Sequence, residues 1–395
     1  MKNNVVFLDC TQSYPLRFSA CNSKIEMMAR GLMEQGDDVC IINGIVGDKE
    51  IVKTEKGISR SGIKYILYPF RYILVPNKLY QFSSWIFNLT ILYKDLKENR
   101  NVTNKNLLIL DDSDYHLFLI YILYARLLGY KIAFCFWEWG VSCESVNIFR
   151  KPSFWLIAHT FGFFVDGILP ISQFLEEKSS HFNRKSLRCP ILADYSFDNY
   201  KPLSEDNIKE GYFLYCASAG YLRIIKFIIS AFEIFKEFGG NQKLVLVLTG
   251  STKDIMIIQM IIDKKKLTGS ILIKTQLPYK ELLENYRNAI ALLIPLDPNS
   301  LQDKARFSQK IAEYISSYRP IITSDVGEIP YYFKDLKSAF IVSNYSPQGY
   351  ASKMIEIVQN YELANIVGYD GRKVGEDKFN YKKYGFKLHL FIKTL

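Results

Sequence analysis

Long apolar runs are missing from this chain. A bilayer-spanning helix takes roughly 18 or more uninterrupted apolar residues, and the best candidates, residues 117–125 and 82–93, are too short or carry polar groups. No membrane span is expected. The amino terminus, MKNN followed by the apolar residues 5–8, has neither the apolar length nor the small-residue cleavage site of a secretory signal, so a cytoplasmic location is expected. The seven cysteines (10, 21, 40, 135, 143, 189, 216) are odd in number and never spaced C-x-x-C, which argues against a disulfide framework and against zinc; they read as small buried hydrophobes. The four histidines (116, 159, 181, 389) form no HxxxH pair, and no metal site is expected. Low-complexity tracts are absent too, and an apolar content of 49% rules out a disordered chain.

What the chain does have is 395 residues, 15% of them aromatic, and 50 Lys+Arg against 40 Asp+Glu, a formal charge of +10. At roughly 100–200 residues per domain this length means two domains, each large enough for its own core. The positive balance fits anionic small substrates or an anionic membrane face. Nucleic acid is not an expected partner, because the basic residues are dispersed apart from the knots at 264–266 and 382–383 and no zinc-finger, RRM or KH pattern accompanies them.

Apolar strands alternate with helical periodicity along most of the chain. Strands are expected at 5–8, 39–42, 107–110, 131–136 and 167–171, with helices at 24–35, 117–128, 154–164 and 172–181. A polar stretch at 194–210 with Pro202 reads as a linker. The alternation then resumes, with strands at 212–217, 243–249, 271–275, 289–296, 320–323 and 339–342 and helices at 224–238, 253–265, 279–288, 310–316 and 348–361. Strands that are continuous apolar runs imply parallel sheets covered on both faces. The expected architecture is therefore α/β: two Rossmann-like, doubly wound parallel-sheet domains facing across a cleft, spanning 1–195 and 205–375, followed by a tail at 376–395. Ligands of such sheets bind beyond the strands' carboxyl ends.

The segment with most chemical content is 306–330, RFSQKIAEYISSYRPIITSDVGEIP. Lys310 and Glu313 lie one turn apart at the start of an expected helix, beside backbone N–H groups that have no partner within the helix. An ammonium and a helix amino end attract phosphate, and a carboxylate beside them accepts hydrogen bonds from sugar hydroxyls. The same spacing also describes a solvated ion pair on a surface helix.

This segment resembles the donor-site signature of the GT-B glycosyltransferases of family 4: a basic residue, a Glu three later, a turn, a Pro-led apolar strand and a Gly-containing loop. Further stretches resemble the same family, namely SKIEMMARGLMEQGDDV at 23–39, DGILPISQFL at 166–175, PILAD at 190–194, and GYDGRKV at 368–374 followed by 379–395, which is similar to the tail that packs back on the first domain. The resemblance implies a retaining transfer from a nucleotide-sugar donor, with Lys310 and Glu313 at the donor and no metal or other cofactor. The loop ASAGYLR at 217–223 resembles the family's phosphate loop, so Ser218 and Gly220 are expected at the donor and Arg223 on its diphosphate; Phe307 is expected beside them. Ser19, Ala20 and Cys21 in the loop at 13–22 are weaker candidates. The strand end WEWG places Glu138 between Trp137 and Trp139, where the resemblance implies an acceptor-side acid. DDSDYH at 111–116 reads as a helix N-cap through Ser113 or Asp114, with His116 on the acceptor side. The implied acceptor is a glycan or lipid-linked chain, as in surface polysaccharide synthesis. Tyr65, Tyr68, Phe70, Arg71, Tyr72 and Lys78 are expected to meet anionic lipid at the inner face of the membrane. Two features depart from the family: a Glu found in many members is replaced by Ala305, with Asp303 the nearest acid, and a usual Gly by Tyr318. A nucleotide-sugar epimerase or phosphorylase on the same fold, or an inactive scaffold, are the alternative readings.

Overall fold

The computed structural model describes residues 2–8, 13–17, 19–45, 47–48, 50–70, 78–111, 114–142, 148–198 and 200–395, with side chains for all of these except 78–85. The chain divides into two compact units. The first comprises Met1–Ala193, Ala305–Gln309 and Phe379–Leu395, and the second Asp194–Lys304 and Lys310–Lys378.

In the first unit β1 (Asn3–Leu8), β2 (Asp38–Ile42), β3 (Glu55–Ile58), β4 (Lys64–Leu67), β5 (Lys105–Leu110), β6 (Lys131–Phe136), β7 (Gly167–Pro170) and β8 (Lys185–Ser186) form a sheet of order β3-β4-β2-β1-β5-β6-β7-β8. Every neighbouring pair is parallel except β3 with β4. The central strands are buried along their length, as their unbroken apolar sequences require. Helices α1 (Ala20–Met33), α2 (Lys78–Glu98), α3 (Tyr115–Leu127), α4 (Lys151–Phe164) and α5 (Gln173–Ser179) supply the crossovers. The chain leaves β1 in one direction through α1 to β2, and later steps the other way from β4 to β7 through α2, α3 and α4. Right-handed connections then put α1 on one face and α2–α4 on the other. The hairpin β3–β4 and the helix α2 are additions to the expected elements. β3 is a half-exposed edge strand with little apolar content, and α2 mixes polar with apolar residues throughout.

The second unit runs α6 (Glu205–Glu210), β9 (Tyr212–Ser218), α7 (Leu222–Glu237), β10 (Lys243–Thr249), α8 (Thr252–Lys264), β11 (Ile271–Thr275), α9 (Tyr279–Asn288), β12 (Ala291–Ile294), α10 (Leu301–Ala305), α11 (Gln309–Ile315), β13 (Ile321–Ser324), α12 (Ile329–Tyr332), β14 (Phe340–Val342), α13 (Pro347–Gln359) and α14 (Tyr361–Lys378). Its six strands are all parallel, in the order β11-β10-β9-β12-β13-β14. Ile225, Ile228, Ile229, Phe232 and Phe235 recur at helical spacing along α7 and join Tyr350, Met354 and Ile357 of α13 in the core. Within the stretch read as linker, Ser204 and Asn207 form a reciprocal capping box that starts α6.

Buried Arg372 ties this unit's first residues to its sheet. Its guanidinium donates to the carbonyls of Tyr195 (2.7 Å), Phe197 (3.2 Å) and Ser316 (2.7 Å), with Tyr195 and Tyr318 over its plane. Tyr318 stands where the resemblance has glycine, and its φ of 62° explains that preference. The tyrosine keeps the left-handed backbone through contacts that glycine lacks, including a 2.9 Å hydrogen bond to Asp198. Burial, reinforced by the Asp198 carboxylate, pushes the Tyr318 phenol up to about 12.

The last helix, α15 (Tyr381–Thr394), belongs to the first unit. Ala193 and Phe379–Tyr381 exchange backbone hydrogen bonds, and His389 pairs with Asp37 at 2.7 Å, both buried. Where α15 crosses α1, Gly385 meets Gly31 so closely that a Cβ on Gly385 would lie 2.2 Å from the Gly31 carbonyl oxygen. Among the described residues no helix is long and apolar enough to cross a membrane. Cys40, Cys135, Cys189 and Cys216 are buried and Cys21 is half-buried, while Cys10 and Cys143 lie outside the described residues.

Replacing Gly385 with Ala improves intrinsic helix propensity by about 1 kcal/mol yet forces two backbones apart. The expected net result is a destabilisation of about 1–3 kcal/mol, read as a lower melting temperature; an unchanged or higher value would show that the crossing is not close-packed.

Candidate functional site

The loops beyond the carboxyl ends of β9, β12 and β13 gather the second unit's candidate residues. After β9 the chain turns sharply: Ala219 donates its N–H to Thr249 (2.7 Å), Gly220 donates to Ser218 Oγ (3.3 Å) and Tyr221 to the Ser218 carbonyl (3.0 Å). Gly220 is exposed, and a Cβ there would approach only Ser218 Oγ, at 3.5 Å. Space above the loop is therefore open. α7 starts directly from this turn with Tyr221 as its N-cap and no side chain capping it. Elsewhere in this unit Ser204, Ser251 and Ser346 each take a first-turn N–H of α6, α8 and α13, whereas α7, like α9 and α12, has no side-chain cap.

Arg223, in the first turn of α7, is half-exposed and ion-paired with Asp297 in the loop after β12. Asp297 also accepts the Asn299 N–H (2.8 Å), and its own N–H donates to the buried Asp303 (3.0 Å). Tyr345, stacked on Phe227 at 4.2 Å, belongs to the same neighbourhood. Burial pushes its phenol up, Asp297 adds to the effect and Arg223 opposes it.

α11 brings Lys310 and Glu313. Glu313 is only 6% exposed, and no ion pair or hydrogen bond is made by Lys310 among the described residues. The solvated-pair reading of these two residues therefore does not describe the structure. Lys310 lies within electrostatic reach of Cys216 near the end of β9: burial raises that thiol and the ammonium works against it. The Glu313 carboxylate in turn raises Tyr195, Tyr286 and Tyr314, after the larger effect of burial on each. Helix and strand are joined where the Cys216 N–H donates to the Tyr314 hydroxyl at 2.9 Å. After β13, Gly327 (φ 61°) admits the close approach of the Asp303 and Lys304 carbonyls, 3.0 and 3.2 Å from where a Cβ would stand. The next residue, Glu328, is buried. Asp297, Asp303, Tyr345 and Glu328 were not marked as candidates by sequence patterns; Gly327-Glu328 in the quoted segment was the available signal.

Ser218, Gly220, Arg223, Lys310 and Glu313 thus share one sheet edge of the second unit, while two other candidates belong to the first. Phe307 is 2% exposed, its ring against Phe379 at 5.5 Å; so covered, it offers no face to a donor, a correction to its expected place. Ala305 is buried too, its carbonyl accepting from Ser172 Oγ at 2.5 Å. Glu138 is half-buried after β6. Of its two neighbouring rings Trp137 is buried under Lys24, 5.1 Å from its centroid, and Trp139 is half-buried among Phe136, His159 and Phe174. Ser19 caps α1 by accepting from Asn22; next to it Ala20 opens the helix, and Cys21 donates to Asp111 at 3.9 Å.

Asp114 occupies the N-cap of α3 without a side-chain cap bond: Arg150 engages its carboxylate at 2.9 Å, and Ser153 accepts the Tyr115 N–H instead. His116 is exposed. Asp112 and Ser113 lie outside the described residues, as do Arg71, Tyr72 and the Lys78 side chain. The expected lipid-facing set loses Tyr68, which is 1% exposed with its hydroxyl donating to Asp95 at 2.9 Å. Tyr65 is half-buried and donates to Glu55 at 2.6 Å, and Phe70 is half-buried as well. Among the described residues no three His, Cys, Asp or Glu side chains converge as a metal site.

Residues 197–374, which include all five clustered candidates, match the family of glycosyl transferases group 1. This stretch is similar to the group 1 glycosyltransferases. Solved structures extend the likeness to the whole chain at the level of fold. Sucrose-phosphate synthase from Thermosynechococcus elongatus superposes with a TM-score of 0.75 at 12% identity, covering 100% of this chain and 99% of its own. HepE of Anabaena, in complex with UDP and glucose, gives 0.71 at 10% identity and covers 100% of both chains. A glycosyltransferase from Rickettsia africae gives 0.66 at 14%, covering 99% and 98%. No curated protein sequence matches the chain. The chain has the GT-B fold.

In the second unit, Tyr314→Phe removes the acceptor for the Cys216 N–H inside the core. A buried donor left unmet costs about 1–3 kcal/mol. Urea unfolding of the variant is expected to show that loss; a parental midpoint would mean that another acceptor replaces the hydroxyl.

Proposed function

We propose that the chain is a retaining glycosyltransferase, taking a sugar from a nucleotide-sugar donor and passing it to a glycan or lipid-linked acceptor. The observation that carries this reading is Lys310, an ammonium without a carboxylate partner among the described residues, near the end of β9, on the sheet edge where α7 begins uncapped. A cation and a helix amino end together suit the diphosphate of such a donor. Arg223 adds a planar fork once phosphate oxygens replace Asp297 as its acceptor. Glu313 accepts from the ribose hydroxyls, and Ser218 and Gly220 let the donor approach the backbone.

As the bond from the anomeric carbon to the diphosphate breaks, negative charge grows on the leaving oxygens. Lys310, Arg223 and the α7 amides are fixed in place to meet it, a stabilisation that needs no metal or other cofactor. Glu138 acts on the acceptor. The group 1 match and the UDP and glucose held by HepE support a UDP-type donor. The charge of +10 supports anionic partners. We place the reaction in surface polysaccharide synthesis at the cytoplasmic side of a membrane. A second reading, a scaffold that binds nucleotide without transferring sugar, is favoured by the buried methyl of Ala305 where many family members carry an acid.

Thermal shift over a panel of nucleotide sugars, followed by transfer assays with the best ligand, tests both readings. Lys310→Ala is expected to weaken nucleotide binding about 10- to 100-fold, the worth of a charge-assisted contact of about 1.5–3 kcal/mol. Glu313→Ala is expected to abolish turnover while unfolding cooperatively. Nucleotide binding without transfer by the parent selects the scaffold; parental turnover by both variants overturns the site.

A further inference from the structure

We propose that the outer face of α2, α3 and α4 is the surface by which the protein docks on an anionic lipid bilayer. A helix that is apolar all round is ordinarily covered all round. α3 is such a helix, YHLFLIYILYARL, with Arg126 its only charge, yet among the described residues its outer side is open: Leu123 is 54% exposed and Leu127 65%. The helices on either side continue the feature. Tyr93 of α2 meets Tyr124 of α3 edge to face at 5.2 Å, and Arg126 of α3 donates to the Phe164 carbonyl of α4 at 2.9 Å, so the three lie side by side. α2 adds exposed Ile86 and Phe87, and α4 adds Trp155 and Phe163, the latter 62% exposed. Scattered apolar side chains are ordinary on a protein surface, but their accumulation on three adjacent helices marks a contact face.

Charge selects the occupant. The exposed charges of the three helices, among the described residues, are Lys94, Lys97, Arg126 and Lys151, with Arg126 paired to Asp166 (2.7 Å), against one exposed carboxylate, Glu98, which Lys56 (3.1 Å) and Lys94 (3.7 Å) already engage. Asp95 of α2 is buried and paired with Lys56. In a two-fold dimer built on this face these same cations would oppose one another. An anionic bilayer instead accepts apolar and aromatic side chains at its interface while the lysine stems extend toward the headgroups. This face replaces the set at residues 65–78, of which Tyr68 is buried. The contact presupposes nothing about the donor, so vesicle binding without nucleotide tests it apart from glycosyl transfer.

The test is cosedimentation of the full chain with vesicles of phosphatidylcholine alone or mixed with phosphatidylglycerol, at low and high salt, alongside light scattering of the free protein. The parent is expected to pellet with the mixed vesicles at low salt and to be released by high salt. Leu127→Gln with Phe163→Gln is expected to weaken that binding about tenfold or more at an unchanged melting temperature, because both side chains are exposed. Lys94→Glu with Lys97→Glu is expected to remove the preference for phosphatidylglycerol, and it decides the matter should the first variant unfold. A parent that stays in the supernatant with both vesicles, or charge-reversed protein that pellets like the parent, overturns the proposal. So does a parental dimer that Leu127→Gln with Phe163→Gln dissociates.

Discussion

A parallel strand buried on both faces leaves the chain one way to continue, a helix laid back across the sheet before the next strand begins. That constraint acts in both units and sends every strand of the second unit's sheet in the same direction. All the β-to-α loops of that sheet consequently open at one edge, where the amino ends of the following helices also gather. The clustered candidates lie there because no other edge collects amide groups and loop side chains from strands distant in sequence.

The electrostatics of that edge are uneven. Glu313, Asp303 and Glu328 are buried carboxylates, and Asp297 has drawn Arg223 to itself. Lys310 has no such partner among the described residues. A buried acid normally requires a compensating group, and an unpartnered cation is a ready acceptor of external negative charge.

Much of this was legible in the chain. The apolar runs of β1, β5, β6, β9 and β10 announce parallel strands, since no other common environment buries both faces of a strand. Lys310 and Glu313 stand out because their spacing fits one helical turn and their surroundings resemble a known donor site. Less legible were β3, a half-exposed edge strand, and α15, whose apolar face shows its purpose only against α1. Phe307 was misplaced for a related reason: a phenylalanine beside a polar motif looks available until Phe379, 72 residues along in numbering, proves to cover it. Tyr318 is the converse, a residue that breaks the glycine preference locally and is held in its left-handed backbone by Arg372 and Asp198.

Pattern alone therefore determined the layers of this protein, the alternation of its elements and the charge types along α11, because periodicity and residue chemistry are local properties. Only tertiary structure decided that Lys310 has no partner among the described residues while Arg223 finds Asp297, that Trp137 is covered, and that α3 keeps an apolar outer side. Those outcomes depend on which distant segments come to lie next to one another, and neighbours in space are not encoded by spacing along the chain.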